Sequence, residues 1–316
     1  MMCRRGKMKK ETLVLKTTDG MQMFVYKWTP DGADAVKGAV QIAHGMAEHA
    51  ARYERFGGAL TEAGYAVYAN DHRGHGRTAG SPDNRGYFAD ENGWAKVVED
   101  MHLLTGLIKK DYPQKPFFLF GHSMGSFLSR HYAMLYGREL NGLILSGTGG
   151  DPGVAGRAGL FIARMDARLH GKKAKSEIMN KLSFGAFNHA FKPNRTEYDW
   201  LSRDHAEVDK YINDPWCGGV FTAGFFCDML EGLSYINKKD NIAKIPKHLP
   251  VYLFSGSKDP VGANTRGVIQ VCNTFKREGI SDVVLRFYQD GRHEMLNEIN
   301  REDIFRDVIA WLDQKR

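Results

Sequence analysis

The chain has 316 residues, 42% of them hydrophobic and 26% charged, which excludes a disordered or collagen-like polypeptide. Its mean hydropathy is −0.43, and no run approaches the roughly 18 apolar residues that a membrane span requires. Lysine and arginine outnumber aspartate and glutamate by 44 to 37, a net charge of +7, but the basic residues are scattered and argue against a nucleic-acid partner.

Residues 1–10 carry Arg4, Arg5, Lys7, Lys9 and Lys10 without an apolar stretch, so neither a secretory signal nor a lipid anchor at Cys3 is expected. Residues 12–17 and 21–28 alternate and are rich in β-formers, with Asp19-Gly20 between them, and predict a hairpin. Beyond it, short apolar runs at 39–43, 66–69, 117–120, 143–145, 251–254 and 283–288 alternate with helical patterns. Continuous apolar runs suit strands covered on both faces, as in a parallel sheet. Trp94, Val97, Val98, Met101, Leu104 and Ile108 repeat at helical spacing, as do Ile304, Phe305, Val308, Ile309 and Leu312. Strand–helix alternation of this kind predicts an α/β fold.

The rhythm breaks between 148 and 241, a stretch without strand signals that reads as a helical cap inserted into the sheet domain. The expected organisation is a first core segment at 11–147, the cap at 148–241 and a second core segment at 242–316. Gly147-Thr148-Gly149-Gly150 lacks the signatures of phosphate-binding loops and reads as a flexible approach to the cap. Gly218-Gly219 and Gly224 read as points where a cap segment flexes. Lys172, Lys173 and Lys175 form a basic patch that reads as a solvated helix face.

Gly121-His122-Ser123-Met124-Gly125 matches G-x-S-x-G between an apolar run and a helical pattern. A strand-to-helix turn this tight exposes the serine at the end of the sheet. A serine hydroxyl needs a base, and the base needs an orienting acid. Asp259 and His293 each follow a predicted strand, the edge where α/β sites assemble. Asp290 is a weaker rival to Asp259, because it would have to fold back on its own loop. Two backbone N–H groups should stabilise the developing oxyanion, one from Met124 and one from the loop His44-Gly45-Met46, for which Met46 is the choice.

His44-Gly45-Met46-Ala47-Glu48-His49, Arg52-Tyr53, Asp71-His72-Arg73-Gly74-His75-Gly76, Gly121 to Gly125, Ser257-Lys258-Asp259 and His293-Glu294 fall in this order. Together they resemble the α/β-hydrolase superfamily, and within it the monoacylglycerol lipase and lysophospholipase-like serine hydrolases. The resemblance spans nearly the whole chain but is poor in the cap. It implies an α/β-hydrolase fold, with a mainly parallel sheet flanked by helices. It also implies a cofactor-free ester hydrolase working through an acyl-enzyme on Ser123, with Asp259 and His293 as partners. Met46-Ala47 departs from relatives that carry smaller residues there, and the larger side chain should narrow the pocket. By the same resemblance, Glu48, His49 and His122 belong to the substrate pocket.

Asp71, His72 and His75 could hold a metal, but no fourth ligand is evident; the preferred reading is a structural loop, and no metal is expected. The cap residues Phe161, Ile162, Met165, Met179, Leu182, Phe184, Phe187, Phe191, Phe221, Phe225, Phe226, Met229 and Leu230 supply the cap's own core, and some of them are expected to line an acyl tunnel. The expected substrate is therefore a lipid-like small ester, and the cap admits a peripheral membrane contact. An amidase, aminopeptidase or thioesterase using the same triad is the alternative, with Glu177, Glu197, Asp199, Asp228 and Glu231 as candidates to hold an α-amino group. A non-catalytic binder on the same scaffold ranks below both. Cys3, Cys217, Cys227 and Cys272 form no C-x-x-C pair and read as reduced thiols of a cytoplasmic protein, with Cys217 and Cys227 near the tunnel. Oligomeric state is left open.

Overall fold

The computed structural model describes residues 8–31 and 36–316, so Cys3 and the basic residues before Met8 lie outside the described residues. Among the described residues eight strands form one sheet: β1 (Lys9–Lys16), β2 (Gln22–Thr29), β3 (Gly38–Ala43), β4 (Tyr65–Asn70), β5 (Phe117–His122), β6 (Gly142–Ser146), β7 (Val251–Gly256) and β8 (Val283–Tyr288). Their spatial order is β1-β2-β4-β3-β5-β6-β7-β8. The β1–β2 hairpin pairs antiparallel, and β2 joins β4 antiparallel; every pairing from β4 to β8 is parallel.

The helices are α1 (Glu54–Glu62), α2 (Gly93–Asp111), α3 (Met124–Tyr136), α4 (Gly153–His170), α5 (Glu177–Phe184), α6 (His205–Asn213), α7 (Ala223–Ile236), α8 (Lys239–Ile242), α9 (Arg266–Arg277) and α10 (Arg301–Gln314). The central strands are buried throughout and divide their side chains between two cores. Leu119 of β5, Leu143 of β6 and Leu253 of β7 pack with Val98 and Met101 of α2, Leu128 of α3 and Phe275 of α9. Their neighbours Phe120, Ile144 and Phe254 pack on the other face with Phe56 of α1 and Phe305 and Trp311 of α10. Helices on both faces thus explain why these strands read as unbroken apolar runs.

β8 departs from that expectation. It is an edge strand with alternating burial, and Val284 is 40% exposed. One face leans on the α9 side of the core through Val283, Leu285 and Phe287. On the other, Arg286 pairs with Asp307 of α10 at 3.0 Å.

Between β6 and β7 the chain runs through α4 to α8 with one isolated bridge, Lys175 to Thr222, and no strand. Two of these helices are long: α4 has 18 residues and α7 has 14. α7 carries Phe225 and Phe226 into the main core, while Trp200, Leu201, Tyr211 and Cys217 form a separate cluster with Phe184, Phe187 and Phe191. Lys172 and Lys175 donate to the carbonyl oxygens of Asp90 and Arg85, and Lys173 lies 5.2 Å from the Tyr87 ring centre. The three lysines are exposed, as expected, but lie between α4 and α5 rather than on a helix face, and they fasten the insertion to the 85–90 loop. Gly147 to Gly149, read as flexible, are fully packed instead.

Candidate active site

β5 ends at His122 and α3 begins at Met124, which leaves Ser123 alone in the turn at φ 52°, ψ −121°. L-residues avoid this region, so the surroundings must hold it. The Ser123 N–H donates to the Ser146 carbonyl at 2.9 Å. The Ser123 carbonyl accepts from the Ser126 N–H at 2.8 Å and the Ser126 hydroxyl at 2.6 Å. Gly125 lets the turn press against β3: a Cβ there would lie 2.0 Å from the Ala43 carbonyl oxygen.

Asp259 and His293 follow β7 and β8 and meet at the same end of the sheet. His293 Nδ1 is 2.9 Å from Asp259 Oδ1, and both side chains are buried. The carboxylate also accepts from the Ser255 hydroxyl and the Val261 N–H, each at 2.9 Å, which fixes its orientation. Asp290, the rival acid, is exposed, and its own N–H donates to the Ser257 hydroxyl. Burial pulls the His293 pKa down, but the charge and hydrogen bond of Asp259 outweigh it, with Glu294 and Glu48 behind, and the net value is raised above 6.5. The neighbouring His122 ring, 4.7 Å away between centroids, is pushed down to about 4 by burial and by His293. Ser123 and His293 line one cavity, with no hydrogen bond between their side chains.

Met46 lies on the loop after β3, and its N–H has no acceptor among the described residues. Met124 opens α3, where an N–H has no intrahelical acceptor. Sequence reasoning missed what holds the Met46 loop. Glu48 accepts from the Gly45 N–H at 2.6 Å, the Tyr53 hydroxyl at 2.8 Å and Arg52 at 2.7 Å. Arg52 continues to Glu294, beside His293, through two bonds of 2.7 Å. From the insertion, the Tyr211 hydroxyl and the Gly218 N–H both donate to the Ala47 carbonyl at 2.9 Å. Gly218 is thereby tied down rather than left as a point of flexure.

The cavity has a volume of about 860 Å³ and is walled by the sheet loops on one side and residues 177–220 on the other. Glu48 and His122 line it as expected, but His49 does not: its Nε2 turns to Asp214 Oδ2 at 2.8 Å. Of the apolar residues expected along a tunnel, Phe184 alone reaches the wall. Phe221, Phe225, Phe226 and Met179 are consumed by the main core, and Phe161 and Leu182 face solvent. Asn180, Asn188, Asn194 and Thr196 stand on the wall instead. Cys217 and Cys227 are absent from it, and burial pushes both thiols up. The three cysteines of the described residues are free.

Asp71 accepts from the Ala50 N–H at 2.8 Å and the Arg77 N–H at 2.7 Å, and His72 donates its N–H to His44. These residues brace a loop. Among the described residues the one trio that brings potential ligand atoms within 4.8 Å of one another is a different one, His49, Asp214 and Cys217, and its histidine and aspartate are already hydrogen-bonded to each other.

The sheet, the serine turn and the His–Asp pair define an α/β-hydrolase. Residues 34–300 match the family described as serine aminopeptidase, S33. The chain is 31% identical to the monoacylglycerol lipase of Mycolicibacterium smegmatis over 93% of each chain. It is 25% identical to the human monoglyceride lipase, over 95% of this chain and 90% of that one. The crystal structure of a thermostable carboxyl esterase from Bacillus coagulans superposes with a TM-score of 0.89 at 29% identity, covering 96% of this chain and 98% of that one. The chain belongs to the S33 hydrolase family, in its monoacylglycerol lipase-like group, and is an ester hydrolase.

Proposed function

We propose that Ser123 is the nucleophile, His293 the general base and Asp259 the carboxylate that orients it. Ser123 Oγ transfers its proton to His293 Nε2 and attacks the ester carbonyl carbon. The oxyanion accepts from the Met46 and Met124 N–H groups. Collapse expels the alcohol, protonated by His293, and water attacks the acyl-enzyme through the same base to release the acid. The observation that carries this reading is the buried His293–Asp259 pair, lining one cavity with a serine held at φ 52°.

The substrate we infer is a monoacylglycerol. Two relatives bear monoacylglycerol or monoglyceride lipase names, and the Bacillus coagulans esterase structure holds glycerol. Met46, Phe184, Trp200, Leu201, Val220 and Val261 offer apolar contact to an acyl chain, while the wall asparagines suit glycerol hydroxyl groups. Glu177 and Glu197 also line the cavity, the specific observation behind an aminopeptidase alternative. The insertion would also touch a lipid surface: Val154, Phe161, Met165 and Leu169 fall at helical spacing on one face of α4 and are exposed.

The test is initial-rate hydrolysis of monoacylglycerols from short to long acyl chains, with amide analogues alongside and Ser123→Ala as control. A Ser123-dependent optimum at medium or long chains supports the reading. Activity confined to the shortest esters, or a preference for the amides, would overturn it.

A further inference from the structure

The insertion leaves the sheet and returns to it beside one buried cation. Arg130, on the helix that begins just after Ser123, is 1% exposed. Its Nη1 donates to the Gly149 carbonyl at 3.0 Å, just past β6. Its Nη2 donates to Asn237 Oδ1 at 2.7 Å and, at 3.4 Å, to the Ile236 carbonyl, both at the end of α7. Arg130 therefore joins the two roots of the insertion. Every one of these acceptors is neutral. Among the described residues Arg130 forms no ion pair, and its Nε has no partner. A charge buried without a counter-charge is costly, and it favours whatever anion can approach. Burial draws the guanidinium down to about 10, only partly offset by the more distant Asp151.

Beside Arg130 lies a second cavity of about 590 Å³, which shares no lining residue with the catalytic one. Lys239 of α8 and Arg277 of α9 line it, and neither forms an ion pair among the described residues. Asp151 and Glu278 also line it, but Asp151 Oδ1 is already engaged by the Gly153 N–H at 2.8 Å. Three cations from three separate elements thus face two carboxylates. That arrangement suits a compact ligand with several acceptor oxygens and more than one negative charge.

We propose that this cavity is an oxyanion site at the roots of the insertion, taking a phosphate group held by Lys239 and Arg277 against the positive field of Arg130. The phosphate comes either as the free ion or as the monoester of a small polyol. Bound there, it ties α9 of the sheet domain to α8 and supplies the counter-charge that Arg130 lacks. The proposal does not depend on the substrate inferred for the catalytic cavity, and its readout is binding.

The test is thermal unfolding of the full chain in a phosphate series, against chloride at equal ionic strength and pH. The comparison is K239A/R277A, whose altered side chains are exposed and do not threaten the fold. Expected is a saturable rise in Tm of roughly 2 °C at ten times Kd and roughly 4 °C at a hundred times Kd, lost in the double variant. A larger rise with glycerol 3-phosphate at equal concentration supports the site with a monoester as its source, and an equal rise supports it with the free ion. The absence of a saturable shift in the wild type, an equal shift in chloride, or an undiminished shift in the double variant overturns the proposal.

Discussion

Arg52 grips Glu294 through two parallel hydrogen bonds of 2.7 Å while one of the same nitrogens holds Glu48 at 2.7 Å. Glu48 anchors the Met46 loop through Gly45, and Glu294 is the residue after His293. A single buried cation therefore braces both the Met46 loop and the segment that carries His293, the proposed oxyanion loop and base. Arg52→Leu would leave two buried carboxylates unpaired, a change expected to cost about 3–5 kcal/mol. Arg52→Lys keeps the charge but loses the fork, and it should fall between the two. Urea midpoints of the three proteins decide this, and an Arg52→Leu midpoint equal to wild type would dismiss the brace. Burial pushes the Glu294 pKa up, but the charge and hydrogen bonds of Arg52 bring it well below 4.5. The stability it contributes is thus complete above about pH 4.5 and drains away as the pH falls through the lowered value.

On the proposed mechanism, the raised pKa of His293 sets the acid side of the activity profile. The base must be neutral to accept the Ser123 proton, so kcat/KM should fall below a midpoint higher than 6.5. Asp259→Asn removes the charge that raises it. The midpoint should then move to lower pH, and kcat should drop by roughly a factor of 10⁴ as the wrong tautomer is favoured. An unmoved midpoint with reduced kcat would mean that Asp259 orients the ring without setting its charge. The same shift makes a stability contribution that is full below pH 6.5, the unfolded value, and is lost as pH rises through the folded one.

The sheet was readable because buried parallel strands leave apolar runs, and the reading overreached only at β8, where an edge strand shows the same apolar residues at half burial. That Ser123, Asp259 and His293 lie at one end of the sheet was readable because each follows a strand, and strand ends are where such groups converge. The cavity wall was not. Phe221, Phe225 and Phe226 resemble a tunnel lining in composition, yet α7 docks on α2 and α3 and carries its two phenylalanines, with Phe221 just before it, into the core. Which face of an inserted helix meets the site depends on that docking, which has no local signature. Glu48 and Arg52 could be seen as neighbours one helical turn apart, but nothing nearby announces Glu294 as the third member.

Gly147 is the position where a single methyl group should reach the chemistry. It adopts φ 58°, and a Cβ there would lie 3.0 Å from His293 Cε1 and 3.2 Å from the His122 ring. Gly147→Ala combines a disfavoured backbone region with crowding against the His293 ring, at a cost of about 1–3 kcal/mol. Because the methyl group crowds these two histidines and leaves the rest of the cavity lining in place, kcat should fall by tenfold or more while KM changes little. Steady-state kinetics with a short soluble ester checks this. A fall confined to KM would show that the methyl group disturbs substrate binding instead.

The exposed face of α4 yields the last prediction. Phe161 is 66% exposed and Leu169 is 71% exposed, and with Val154 and Met165 they line one side of the helix. Arg157 and Arg168 are exposed beside that stripe, as expected of a helix that lies in an anionic interface. Ala163 on the opposite side is buried, and α4 packs on α7, so the apolar face is surplus to the fold. Phe161→Ser/Leu169→Ser should therefore leave the unfolding midpoint and the rate on a short soluble ester nearly unchanged. Sedimentation with vesicles of phosphatidylcholine and phosphatidylglycerol should fall several-fold, as should hydrolysis of a long-chain monoacylglycerol presented in them. Loss of both activities together would place these side chains in the insertion's own packing, and undiminished sedimentation would remove α4 as the contact.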